Sequence, residues 1–102
     1  MTDTNDETIF WDQVDAFIQQ ANDACDNTDS GIVGAALLNA SARFNAFVVA
    51  SSSLDRIEFA ADIDETLNYL TGRYRDFLRE HLEDYRDNYK TLIRADEDVT
   101  GE

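Results

Sequence analysis

No proline occurs anywhere in the 102 residues, and glycine stands only at positions 31, 34, 72 and 101. Proline and glycine are the residues that break helices most strongly. A chain so poor in them is stopped mainly by clusters of Asn, Asp and Ser, whose side chains bond to nearby backbone and favour turns. Long helices are therefore the expectation, and apolar spacing decides where they run. Phe10, Val14, Phe17, Ala21 and Ala24 recur at steps of 4, 3, 4 and 3, which predicts a first helix over 8–24. Thr8 is placed to cap it, with Asp6 and Glu7 beside its positive end. The CDNTDS run, residues 25–30, reads as a turn.

A second helix is expected over 31–52. Its centre, ASARFNAFVVA at 40–50, is apolar almost all the way round yet carries Arg43 and Asn45. Ala35, Ala42, Ala46 and Ala50 share one face, and Leu37, Phe44 and Val48 share another. Two apolar faces call for two neighbours, so this helix reads as the middle of a layered bundle. An arginine near the centre of a membrane span costs about 2.5–3.5 kcal/mol, and alanine and glycine dilute the apolar gain here. The expectation is no membrane span.

The third helix opens with Asp55-x-x-Glu58, the spacing of a capping box. Apolar residues follow at Phe59, Ile63, Leu67, Leu70, Tyr74, Leu78, Leu82, Tyr85, Tyr89 and Leu92. These nine steps average about 3.67 residues, the pitch of a straight helix rather than of a left-handed coiled coil. Such a helix is far longer than the first, and Gly72 marks where it would bend or break. The fold class expected is all-α: a three-helix bundle with a long third helix. It forms one domain over 8–94, between a flexible acidic arm, 1–7, and a flexible acidic tail, 95–102. The stripe beyond the reach of the first two helices, Leu82, Tyr85, Tyr89 and Leu92, is the candidate interface. Tyrosines there suit contact with another chain, either a second copy in a homodimer or another protein.

Charge bounds the partners. The net charge is −14, which repels phosphate backbones and argues against nucleic acid. Asp outnumbers Glu 15 to 7, and Lys90 is the single lysine. Such a surface resembles those of proteins from salty habitats, where repulsion is screened. A DNA mimic would need carboxylates at phosphate spacing, whereas these are spread along the whole chain. Cys25 is the one cysteine, which rules out an internal disulfide and a cysteine-built zinc site. It reads as a small apolar filler near the end of the first helix, in a reducing compartment. No basic segment leads into an apolar core at the N-terminus, so cytoplasm is expected.

Chemistry-bearing groups are few. His81 is the lone histidine, with Leu78 three residues before it where a di-metal bundle would have an acid. No metal and no cofactor are expected. A Cys25–His81 pair would be the weak enzymatic alternative, with nothing nearby to activate either group. Arg43 differs, because a charge inside an apolar helix requires a partner. Asp15 and Asp62 are the candidate carboxylates. Arg43 with Asn45, Asn22 and Asp15 forms the candidate binding group for a small molecule or anion between helices. The main expectation is association with protein, not catalysis.

Three blocks also carry a likeness. They are FW-x3-D-x-FI-x2-AN at Phe10–Asn22, ARFNAFV at Ala42–Val48 and REHLEDY-x3-Y at Arg79–Tyr89. Together they resemble a small family of short bacterial proteins known only as a domain of unknown function. The resemblance spans roughly 9–89 and implies a bacterial origin and a small helical protein. It implies no activity, cofactor or catalytic residue.

Overall fold

The computed structural model describes residues 2–89 and 91. It is all-α. Four helices follow in order, with no strand among the described residues: α1 (Thr2–Ala24), α2 (Ser30–Ser52), α3 (Arg56–Ala61) and α4 (Ile63–Asp87). The chain divides into two units, Met1–Ser53 and Leu54–Glu102.

In the first unit α1 begins at Thr2, upstream of the expected Thr8, so Thr8 is an interior residue and not a cap. Residues 1–7 contain no glycine or proline, and nothing in them halts a helix that the apolar face downstream has nucleated. Its C-terminal turn tightens through bonds from the Cys25 N–H to the Ala21 and Asn22 carbonyls, and from the Asp26 N–H to the Asp23 carbonyl. Asp29 then starts α2. One carboxylate oxygen accepts from the Gly31 N–H at 2.9 Å and the Ile32 N–H at 3.3 Å. A Cβ on Gly31 would lie 2.9 Å from that same oxygen, so glycine leaves room for the cap. The far end of α2 is closed by serines. Ser51, Ser52 and Ser53 hydroxyls donate to the carbonyls of Phe47, Val48 and Val49.

The second unit corrects the expected third helix. Asp55 accepts from the Glu58 N–H at 2.9 Å, as the capping box requires, while the Glu58 side chain reaches one residue past the cap and accepts from the Leu54 N–H. The break comes at Asp62, not at Gly72. There the backbone leaves helical geometry at φ −99° and ψ 2°, and the Asp62 N–H is shared between the Glu58 and Phe59 carbonyls. Gly72 lies inside the unbroken 25-residue α4, about 37 Å long. One unfavourable residue costs about 1 kcal/mol, too little to break a long amphipathic helix. The described residues therefore hold four helices where the periodicity suggests three. Asn88 ends α4, its amide donating to the Asp84 carbonyl and carboxylate at 3.1 and 2.9 Å.

No described residue is buried, so neither unit closes a core within itself. Val14, Ala21, Val33 and Val49 of the first unit, and Phe59, Thr66 and Leu70 of the second, reach only half burial.

Candidate functional site: uncovered apolar helix faces

The large apolar side chains stand in the open. On α1 these include Phe10, Trp11, Phe17 and Ile18. Phe10 and Trp11 meet edge to face, their ring centres 4.9 Å apart. On α2, Phe44 and Phe47 are 65% and 63% exposed and lie one helical turn apart, 6.2 Å between centres. On α4, Leu67, Tyr74, Phe77, Leu78, Leu82 and Tyr85 form one stripe, with Tyr89 just past the helix. Tyr85 and Tyr89 are 48% and 49% exposed. Leu92, named with them as an interface residue, lies outside the described residues, as does the expected tail 95–102. His81 falls in the middle of the α4 stripe at about 100° per residue, among Leu78, Leu82 and Tyr85.

The candidate binding group does not assemble within its unit. Asp15, Asn22, Arg43 and Asn45 are all exposed, and no hydrogen bond or ion pair joins any two of them. Asn45 instead donates back along its own helix, to the Ser41 carbonyl at 2.9 Å and more weakly to the Ser41 hydroxyl. Within the first unit Arg43 has no carboxylate partner among the described residues. The demand for one rested on burial, and Arg43 is exposed. Cys25 is likewise exposed in the turn after α1 and fills no apolar gap.

The charges that do pair lie on α4. Arg79 and Glu83 approach to 4.0 Å, and Arg86 meets Asp87 at 2.8 Å. The Arg86 hydrogen bond holds the Asp87 carboxyl below its usual range, and Asp87 in turn raises the Arg86 guanidinium. Both pairs are open to water. Arg73 lies over the Phe77 ring, 4.8 Å from its centre. A shallow groove runs along the same helix, with Tyr74, Leu78 and Leu82 as its floor and Arg75, Arg79 and Arg86 among its walls. Among the described residues, no three His, Cys, Asp or Glu side chains gather where a metal could bind.

These features define an all-α protein whose helices carry apolar faces that their own units leave uncovered. The chain belongs to the family described as "Protein of unknown function (DUF3144)", which matches residues 10–86. No curated protein and no solved structure matches it.

Proposed function

We propose that the protein acts by association with protein, not by catalysis, and that it does so in the cytoplasm. The observation that carries this reading is the exposure of every large apolar side chain on α1, α2 and α4 that the half-buried set leaves out. Contiguous apolar surface beyond a few hundred Å² is rare on proteins that act alone. Each such side chain gains about 1.5–3 kcal/mol when covered, so a handful is enough to drive assembly. Light scattering across a dilution series is the test. The expected mass is a multiple of the 11.6 kDa chain, falling on dilution. A mass of one chain at every concentration, in salt sufficient to screen the acidic surface, would overturn association between copies. Retention of no protein on immobilised chain from a host extract would then overturn association with other proteins.

A second reading has an observation of its own. α2, with a mean hydropathy of 1.5, is long and apolar enough to cross a membrane by length and composition. Arg43 is its one charged residue and sits well inside it. The cost of placing that charge in hydrocarbon favours association in water. Flotation with lipid vesicles separates the readings: the protein is expected to stay at the bottom of the gradient. The anion-binding alternative built on Arg43, Asn45, Asn22 and Asp15 has less support, because nothing joins these residues within their unit.

A further inference from the structure

Between residues 74 and 89 the charges of α4 are sorted. At about 100° per residue the apolar stripe, centred on Tyr74, Leu78 and Tyr85, has two edges. Arg75, Arg79 and Arg86 occupy one edge, with Glu83 behind Arg79 as the one acid on that side. Glu80, Asp84 and Asp87 occupy the other, with no base among them. All six are exposed. Upstream the order is looser: Arg73 stands on the acidic side, where it lies over the Phe77 ring.

We propose that this face of α4 takes the α4 of a second copy, running in the same direction. The proposal rests on the association reading and names its partner. When two identical helices pair in parallel about a two-fold axis, the left edge of one meets the right edge of the other. Arg75, Arg79 and Arg86 then face Glu80, Asp84 and Asp87 of the second copy, twice over. When the helices run in opposite directions, like edges meet, and three arginines face three arginines. Edge charges of this kind set orientation and partner choice in paired helices, and like charges set against each other cost heavily. The direction matters because each copy carries a net −14, which opposes any contact without local complementarity. The pairs that Arg79 and Arg86 make within their own helix do not compete strongly. Both are exposed, and exposed pairs contribute little. The antiparallel pairing that a simple overhang between two long helices would suggest is thus disfavoured by these six charges.

Cross-linking reads the direction. In a Cys25→Ser background, Leu67→Cys and His81→Cys are made separately, each on the stripe and about 21 Å apart along the helix. Parallel pairing in register sets each cysteine against its own copy, so mild oxidation should link both variants into dimers of twice 11.6 kDa. An antiparallel pair can bring at most one of the two positions together. Linkage of only one, or of neither while the unmutated chain remains a dimer, overturns the parallel pairing and leaves association standing. An unmutated chain that is always monomeric sinks both. Charge reversal supplies a check that does not depend on the cysteines. Arg75→Glu/Arg79→Glu/Arg86→Glu alone, and Glu80→Arg/Asp84→Arg/Asp87→Arg alone, should each weaken self-association at least about tenfold. Mixed one to one, they should form a heterodimer. Unchanged self-association in both variants, or failure of the mixture to pair while each remains helical by circular dichroism, counts against the proposal.

Discussion

α2 and α4 are nearly equal in length, 23 and 25 residues, and both hold large apolar side chains in water, yet they are built differently. α2 is apolar nearly all round, with Arg43 its one charge, and its hydrogen-bonding side chains turn inward on their own backbone. α4 gathers its apolar residues, Tyr69 apart, in one stripe and lines the two edges with mostly opposite charges. A surface like that of α2 attracts any apolar neighbour and says little about which way that neighbour must lie. A surface like that of α4 attracts less broadly and specifies more. Affinity and orientation are separate properties.

The largest expected effect falls on α4. Tyr85→Asp/Tyr89→Asp places two more acids on the stripe and should weaken self-association by about two orders of magnitude, as loss of a central aromatic anchor does. Light scattering should show a mass near one chain at concentrations where a dimer is expected of the unmutated protein. An unchanged mass would move the contact off α4 and break the comparison. A smaller effect is expected at the start of α2. Asp29→Ala removes the carboxylate that caps two N–H groups and should cost about 1 kcal/mol. In a domain of this size that lowers the melting temperature by roughly 4–8 °C. No change in melting would mean that the α2 terminus is held by something other than its cap.

Gly72→Ala tests α4 from the inside. A Cβ at Gly72 meets nothing within 4 Å, and no glycine has positive φ among the described residues. The substitution should stabilise by up to about 1 kcal/mol, seen as a rise in melting temperature. A fall would show that the face beside Gly72 is closely covered in the assembly. The smallest effect is expected at Arg43. Exposed and unpaired, it should tolerate Arg43→Met within about 0.5 kcal/mol. A loss of about 3–5 kcal/mol, typical of breaking a buried ion pair, would show that an acid covers it in the assembled state.

Much of the fold was legible because it is local. The α2 boundaries, the Asp55–Glu58 capping box and the α4 stripe all follow from residues within one or two turns of each other. The misses have local causes too. The early start of α1 was hidden because acidic residues at 1–7 look like a loose arm, although none of them breaks a helix. The turn at Asp62 occupies a single residue, which leaves the apolar spacing on both sides almost undisturbed. Gly72 drew attention on propensity alone. The candidate site fared differently. Periodicity tells which residues share a face but not what covers that face. For Arg43 the pattern asks for a carboxylate, and within its own unit none stands beside it. The edge charges of α4 are legible in the letters once each charged residue is set at about 100° per step on the helix.

The way α2 ends bears on how freely such a chain can change. Three serine hydroxyls bond back to the Phe47, Val48 and Val49 carbonyls, the Ser53 N–H bonds to the Ala50 carbonyl, and the backbone then leaves in an extended conformation at Ser53, φ −79° and ψ 152°. No non-glycine residue adopts positive φ, and no glycine does either, among the described residues. The connections between these helices thus ask nothing of backbone chirality. Lengthening or shortening them by a residue forfeits no specially shaped position, and single-letter drift within them meets little steric veto. What the lineage must keep is a few short oxygen-bearing side chains at the helix starts and ends, which several amino acids can supply.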